Sequence, residues 1–284
     1  MQNQEINSLS ASDLPKKLLN LHTPPVQLYY RGDNTLLETK PTVGIVGARK
    51  FTPYGKDVTI EVATALARAG VVIISGLALG IDSIAHKAAV ETGGKTIAVL
   101  PSGLNNIYPA SHYGLSQSIV RTGGLLVCEY PNNFRPFKHS FLERNRIIAA
   151  LSDVLIIPEA AEASGSLNTA GVALDLGVPI MAVPGNITSS YSAGTNKLIK
   201  TGAHPLTHVE DVFELLGINN TTQVEYIPEN SAEAVLLSYI NKEPIATNTL
   251  LEKSGLDAAV AQTHLTMLEI KGVIKAESGR WTML

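Results

Sequence analysis

The sequence predicts an α/β protein with a mostly parallel sheet, helices on both faces of that sheet, and a small C-terminal winged-helix domain. From residue 42 onward, short apolar runs alternate with helix-length segments, and repeated strand–helix units of this kind form parallel sheets. Gly and other small residues recur where the apolar runs end. Residues 231–284 hold three helix-like segments and a hairpin signal, which together predict the winged helix.

Composition limits what the chain can be. Its 284 residues fit one large domain and one small one, and 45% hydrophobic against 17% charged residues indicate a well-packed core. The net charge is −3, so any nucleic acid must be bound by a local patch. A single cysteine (Cys128), no secretion-type leader and no membrane-length apolar run favour a cytoplasmic protein without a membrane partner.

The chain divides into four segments by composition. Residues 1–40 are polar and irregular with one short helix, and we expect an arm packed on the main domain. The main domain is predicted over 41–217. A polar, acidic linker over 218–230 precedes the winged helix at 231–284.

The main domain contains seven strand-like runs, the last of them weak. The predicted strands are Val43–Val46, Val71–Ser75, Thr96–Leu100, Leu125–Cys128, Val154–Ile157, Ile180–Val183 and His204–Thr207. The predicted helices lie near residues 53–69, 80–92, 111–122, 141–151, 166–176, 195–201 and 209–216.

The first strand leads into a turn that can bind an anion. Gly47 allows the backbone to turn tightly beside Arg49, and Thr52-Pro53 is a helix-start signal. Open backbone N–H groups and a helix N-terminus then point at one spot. Taken alone, this stretch fits an ordinary strand–helix turn with a solvated Arg49 better.

Four loops at the predicted carboxyl edge of the sheet share a richness in Gly, Ser and Pro. They begin at Ser75-Gly76, Pro101-Ser102-Gly103, Pro158-Glu159 and Pro184-Gly185. Because ligands of such sheets bind at this edge, the loops predict a backbone-lined groove for phosphates.

A basic stretch precedes the fifth strand. Residues 135–149 carry a net charge of +3, and the cations alternate with aromatic residues. This pattern suits single-stranded nucleic acid, which needs cations for phosphates and rings for bases. For Phe134 and Phe137, base stacking and burial in the core are equally good interpretations. The spacing of Ser140 and Glu143 predicts a helix start at Ser140, with Lys138 just before it.

Two other patterns are set aside. Gly93-Gly94-Lys95 lacks the first Gly of a phosphate-binding loop and precedes a strand, which argues against ATP hydrolysis. Asp82 and His86 lie on one helix face without further ligands nearby. We expect neither metal nor cofactor, and we assign Asp82 to helix capping.

Taken together, the motifs resemble the DNA-processing protein A (DprA/Smf) family over about Pro41–Leu216. They are IVGARKFTPYG, VIISGLALGIDSIAH, GGKTIAVLPSGLNNIYP, FLERNRIIAALS, SGSLNTA, AVPGNI and GTNKLIKTGA. The resemblance implies a Rossmann-like core that binds single-stranded DNA, dimerises and helps to load the RecA recombinase during natural transformation.

The resemblance also implies the DNA site. Its positions are Arg49, Lys138 and Phe141, with the backbone of the Gly47 and Gly76 loops. The remaining positions expected there are Ser75, Gly80, Arg144, Asn145, Arg146, Ser164, Gly165 and Ser166. The winged helix has five Lys and Arg against six Asp and Glu, a net charge of −1, so we do not expect it to be the main DNA-binding element. Leu198 and Ile199 are expected to be an exposed apolar pair at a homodimer interface, the alternative being that both are buried within the monomer.

Two rival functions remain. The SGSLNTA loop is also similar to that of nucleotide phosphoribohydrolases, but Val172 stands where those enzymes carry a catalytic Glu. We therefore predict a protein without enzymatic activity. The third possibility is a scaffold whose winged helix contacts a protein partner.

Overall fold

The computed structural model describes residues 5–218, 228–240, 244–271, 273–277 and 279–283. The chain forms two compact units, one ending at Asn220 and the other beginning at Thr221. Each unit is described by itself below. Most of the predicted linker, 218–230, lies outside the described residues.

The first unit is built on one sheet, which has nine strands within the described residues. The strands are β1 (Asn7–Ser10), β2 (Gln27–Gly32), β3 (Thr42–Ile45), β4 (Val72–Ser75), β5 (Thr96–Val99), β6 (Leu125–Cys128), β7 (Val154–Ile157), β8 (Ile180–Ala182) and β9 (His204–Pro205). Their order is β1-β2-β6-β5-β4-β3-β7-β8-β9, and β3 to β9 are parallel.

The chain changes direction across the sheet between β3 and β7. From β3 it moves outward through β4, β5 and β6, then returns to place β7 on the other side of β3. The loops after β3 and β7 therefore diverge at neighbouring carboxyl ends. A crevice at this topological switch point is where such sheets bind ligands.

Helices cover both faces, as predicted. They are α1 (Lys16–Leu19), α2 (Pro53–Arg68), α3 (Ile81–Glu91), α4 (Tyr113–Arg121), α5 (Lys138–Leu151), α6 (Gly165–Asp175), α7 (Ala193–Lys200) and α8 (Glu210–Leu216). Successive side chains of a strand point to opposite faces. Ile73 accordingly packs with α2 and α3 residues, whereas Val72 and Ile74 pack with α5 residues. The strands are apolar on both sides for this reason.

The N-terminal segment differs from the irregular arm that the sequence predicted. Strands β1 and β2 pair antiparallel with each other, and β2 pairs with β6, so this segment extends the main sheet. The strand pattern was missed because the residues of β2 are mostly half-buried and include Gln27 and Arg31. The short helix predicted there is present as α1.

Helix α5 begins three residues before the predicted start. Phe137 is its N-cap, and Ser140 lies in the first turn, where its Oγ accepts the Phe137 N–H at 3.1 Å. Ser140 therefore stabilises the helix start from inside the helix. Lys138 is the first helical residue and not the residue before the helix.

The second unit has the predicted three helices and terminal hairpin. Its elements are α9 (Ser231–Ile240), β10 (Ile245–Ala246), α10 (Thr247–Ser254), α11 (Ala258–Ile270), β11 (Ile274–Glu277) and β12 (Arg280–Met283). Strand β12 lies between the other two strands, antiparallel to both. Trp281 is buried against Leu236, Leu250 and Leu265. The arrangement is that of a winged helix. Across both units, no helix in the described residues is long and apolar enough to span a bilayer.

The close contact between β3 and α5 makes a prediction about stability. A Cβ added at Gly44 would collide with the Ser152 side chain and approach Leu155 Cδ1 to 2.9 Å. Because both neighbours are buried, we expect Gly44→Ala to lower the free energy of unfolding by about 1–3 kcal/mol. Chemical denaturation followed by circular dichroism measures this.

Gly171→Ala is the matched control. A Cβ at this position in α6 meets nothing within 4 Å, and Ala is the better helix former by about 1 kcal/mol. This variant should be at least as stable as the parent. A Gly44→Ala protein with parental stability would show that the β3–α5 packing is looser than described.

Candidate functional site

A groove of about 760 Å³ lies at the switch point. It is formed by the loop after β3, the first turns of α5 and α6, and residues from the loops after β4 and β5. Nine predicted site residues line it: Gly47, Arg49, Lys138, Phe141, Arg144, Asn145, Ser164, Gly165 and Ser166. Loops that are far apart in sequence thus meet at one sheet edge, as the topology requires. We call this cavity the switch-point groove.

The groove is positively charged although the chain is not. Its lining includes four cationic side chains, Arg49, Lys50, Lys138 and Arg144, and one carboxylate, Asp82. Arg49, Lys50 and Lys138 are exposed, whereas Arg144 and Asp82 are buried. The side chains that line the groove have a net charge of +3, whereas the whole chain has −3. The positive potential is therefore concentrated where an anionic ligand would enter.

An aromatic cluster stands beside these cations. The Arg49 guanidinium carbon lies 5.1 Å from the centre of the Phe141 ring, a cation–π contact. Tyr108 meets the same ring edge-on, with 5.5 Å between ring centres. Phe141 is half-buried and Tyr108 is 44% exposed. The groove therefore presents charge and ring surface at one point.

Asp82 forms part of the floor of the groove and does not cap α3, contrary to the sequence-based assignment. Its carboxylate accepts backbone N–H groups from Gly47, Gly76 and Ala78, at 3.1 Å for Gly76. Burial raises the pKa of Asp82, while Arg144 and these N–H groups oppose the shift. The Gly47 and Gly76 N–H groups, which the sequence analysis expected to be open to an anion, are thus occupied by the protein's own carboxylate.

The N-terminus of α2 is occupied in a similar way. The buried Glu159 carboxylate accepts the Thr52 N–H at 2.9 Å and the Thr52 hydroxyl at 2.7 Å. A carboxylate here also meets the positive end of the helix dipole. The helix N-terminus predicted to hold an external anion is therefore neutralised from within, and Glu159 ties the loop after β7 to the start of α2.

Arg144 is buried and links the loop after β4 to the end of β5. Its Nη1 donates to the carbonyls of Gly76 and Val99, the latter at 2.7 Å, and its side chain is 4% exposed. Burial lowers the pKa of Arg144 to about 10, while Asp82 opposes the shift. A Cβ on Gly76 would overlap the guanidinium, so Gly is required where this arginine crosses the loop.

The loop after β4 is held in an unusual conformation. Leu77 is fully buried at φ 55°, a left-handed conformation that is rare outside Gly. Its N–H donates to His86 Nε2 at 3.3 Å, and its carbonyl contacts His112 Nδ1 at 2.8 Å. His86 Nδ1 donates to Thr96 Oγ1 at 2.7 Å, because that hydroxyl itself donates to the Ile73 carbonyl. Because Nε2 accepts a hydrogen bond from Leu77, the ring must be neutral.

Several predicted site residues do not line the groove. Ser75 is buried and donates to the Ile45 carbonyl at 2.6 Å, so its side chain fixes strand β4 to β3. Gly80, at φ 88°, lies against the backbone of Ala48. The Arg146 guanidinium donates to the Glu129 carboxylate, which neutralises its charge. Gly76 lines a small cavity of about 40 Å³ beside Phe141.

The structure adds residues that the sequence analysis did not assign. Tyr108, Lys50 and Tyr191 line the groove. The Tyr108-Pro109 pair was a visible signal, because it follows the third predicted strand, whose loop opens at the same carboxyl edge of the sheet. Lys50 directly follows Arg49 in the same loop. No pattern in the sequence indicated Tyr191.

The predicted interface pair is not an exposed apolar patch. Leu198 and Ile199 on α7 are both half-buried, and Leu198 packs against the core of the same chain. Helix α7 covers the sheet of its own unit, and this contact buries much of the apolar surface of the two side chains.

Two features bear on the alternatives to DNA binding. Val172 on α6 stands where the rival enzyme carries its Glu, and it is half-buried against the core. Within the described residues, no three or more His, Cys, Asp or Glu cluster as metal ligands would.

The fold and groove define a class: a Rossmann-like α/β unit with a positively charged site at the switch point, followed by a winged-helix unit. Residues 5–217 match the family model of the DNA recombination-mediator protein A, and residues 222–280 match that of the DprA winged helix domain. The chain belongs to the DNA recombination-mediator protein A (DprA) family.

Individual relatives agree with this assignment. DNA processing protein DprA of Bacillus subtilis is 39% identical over 224 residues, covering 78% of this chain and 75% of the relative. Protein Smf of Escherichia coli is 36% identical over 280 residues, covering 95% and 75%. The structure of DNA processing protein A from Helicobacter pylori, described for its single-stranded DNA binding mode, aligns with TM-score 0.69 and 39% identity over 75% of this chain and 96% of its own.

The neutral state of His86 predicts acid sensitivity. Burial, together with the charges of Arg144 and His112, lowers the pKa of His86 from 6.5 to about 3. The unfolded chain therefore takes up this proton at a higher pH than the folded chain. The stabilisation is full above about pH 6.5 and is lost as the pH falls toward 3, by up to about 1.4 kcal/mol per pH unit.

Urea unfolding at a series of pH values tests this. In His86→Gln the slope of unfolding free energy against pH should fall by up to that amount between pH 6.5 and the acid limit of folding. An identical slope in parent and variant would show that His86 is not the neutral, buried ring described here.

Proposed function

We propose that the chain binds single-stranded DNA in the switch-point groove and acts as a recombination mediator. The observation that carries the proposal is the pairing of Arg49 with Phe141 in a groove that also presents Lys138. Single-strand binding needs cations along the phosphates and rings on which bases stack. The H. pylori relative, described for the same kind of binding, supports it.

The backbone groups around the groove shape this proposal. Asp82 already accepts the N–H groups of the loops, and Glu159 accepts that of Thr52 at the N-cap of α2, so phosphate binding falls to the exposed side chains. Arg49 is the principal one, because its fork can hold a phosphate bidentately. Asn145 on α5 and Ser164, the N-cap of α6, add neutral polar groups to the lining of the groove.

Selectivity for single strands follows from Phe141 and Tyr108. Both rings are partly accessible, and a stacked duplex hides its base faces from them. Duplex DNA would retain the phosphate contacts alone. The protein should thus prefer single-stranded over double-stranded DNA of equal length.

The wider role comes from family membership. We propose that the protein works in the cytoplasm as a homodimer, protects incoming single strands and helps to load the RecA recombinase during natural transformation. We assign no catalytic step to it. We give the winged helix a secondary or partner-contacting role, because it carries no net positive charge and Lys271 is paired with Glu229 at 2.9 Å.

Three variants test the DNA site. Arg49→Ala and Lys138→Ala should each weaken binding of oligo-dT and lower the slope of log K against log salt by about 0.7, the value for one phosphate contact. Phe141→Ala should weaken binding by about 1–3 kcal/mol and leave that slope nearly unchanged, because no charge is removed. Fluorescence anisotropy across a salt series measures both quantities.

Lys56→Ala is the matched charge control, since this exposed lysine on α2 does not line the groove. Thermal melts verify folding of each variant. If Arg49→Ala and Lys138→Ala bind with the parental affinity and salt slope, the switch-point groove is not the DNA site.

Ile199 tests the homodimer. It is half-buried on α7, and Ile199→Glu should lower the mass measured in solution from dimer to monomer, because a charge would be buried at the interface. Lys200→Glu, at the exposed neighbouring position, is the control. A parent that is monomeric at all concentrations would overturn the dimer proposal.

A further inference from the structure

A second aromatic cluster lies next to the groove and takes no part in it as described so far. Tyr130 and Phe134 stack with 4.1 Å between ring centres and 6° between ring planes. Phe137 meets Phe134 edge-on at 5.5 Å. We call Tyr130, Phe134 and Phe137 the aromatic ladder.

Hydrogen bonds to neighbouring segments hold the aromatic ladder in place. The Tyr130 hydroxyl donates to the Glu143 carboxylate on α5. The Phe134 carbonyl accepts the Gly103 N–H at 3.0 Å and the Asn106 side-chain amide at 3.3 Å. Two separate segments therefore fix the two inner rings, and the ladder is ordered before any ligand arrives.

The outermost ring is exposed. Phe137 leaves 53% of its surface in contact with solvent, although burying it would be favourable. Phe134 and Tyr130 are half-buried beneath it. An ordered, accessible ring on an ordered support is the arrangement that base stacking requires.

The surroundings of Phe137 are cationic. Arg135, Lys138 and His139 are exposed on either side of it. Glu143, the nearby carboxylate, is engaged by Tyr130 and by His139 at 3.0 Å. Within the described residues, the Arg135 side chain makes no hydrogen bond or ion pair. The phosphate backbone of a nucleic acid fits this charge distribution, and its bases can stack on the Phe137 ring. An acidic protein surface without aromatic groups would contact the cations but not the ring.

The ladder continues directly into the switch-point groove. Phe137 is the N-cap of α5, Lys138 follows it and lines the groove, and Phe141 comes one turn later. Four residues of helix rise about 6 Å, on the order of two stacked nucleotides at about 3.4 Å each.

From this placement we propose that the aromatic ladder is a second base-stacking subsite, which extends the single-strand path beyond the groove, with Phe137 stacking a base and Arg135 binding a phosphate. The proposal rests on the function proposed above and adds a new prediction: binding depends on oligonucleotide length through Phe137.

The test compares an oligo-dT of about 3 nucleotides, which can fill the groove around Phe141 without reaching Phe137, with one of about 15 nucleotides. Phe137→Ala should weaken binding of the longer strand about tenfold and leave the shorter strand, which the groove alone can hold, nearly unaffected. Phe137→Tyr keeps the ring and should bind both strands as the parent does. Arg135→Gln should weaken the longer strand and lower only its salt slope.

Tyr113→Ala is the control, because this ring is similarly exposed, at 58%, and lines neither cavity. Parental binding of both strands by Phe137→Ala would overturn the ladder proposal, as would an equal loss for both strands in a folded variant. A partner protein as the occupant would give the first of these results.

Failure of the ladder and failure of the groove can be told apart. If Arg49→Ala weakens both strands while Phe137→Ala changes neither, the groove stands and the ladder falls. If the parent binds neither strand, the function proposed above fails, and the ladder proposal fails with it.

Discussion

The site depends on two buried charges, Asp82 and Arg144, which hold three loops at one sheet edge. The Asp82 carboxylate collects backbone N–H groups from the loops after β3 and β4. The Arg144 guanidinium donates to the carbonyls of Gly76 and Val99, at the ends of β4 and β5. Removing one partner from such a network leaves the other charge buried and uncompensated, which is strongly destabilising.

This constraint decides what the groove offers to a ligand. With the loop N–H groups satisfied internally, the floor is rigid and nearly neutral, and the ligand meets side chains at the rim. Arg49 and Lys138 supply positive charge, and Phe141 and Tyr108 supply ring surface. A rim of this kind recognises repeated features of a polymer, phosphates and base faces, better than one particular small molecule.

Sequence reasoning predicted the sheet because its strands are buried on both faces and therefore continuously apolar. It also predicted that Arg49, Lys138 and Phe141 lie at the same edge of the sheet, because the order and direction of the strands alone determine which loops meet there. It could not show that Asp82 and Glu159 occupy the N–H groups expected to bind an anion, because a carboxylate's partner depends on packing between distant segments. Strand β2 was missed for a related reason: Gln27 and Arg31 obscure the apolar alternation of a half-buried strand.

The central claim is that single-stranded DNA lies in the switch-point groove of the first unit. Photo-crosslinking of the full chain to oligo-dT, followed by mass spectrometry of the peptides, tests this most directly. The account predicts crosslinks to peptides that contain Phe141 and Tyr108. Crosslinks confined to residues 231–284 would contradict it and would assign DNA binding to the winged helix.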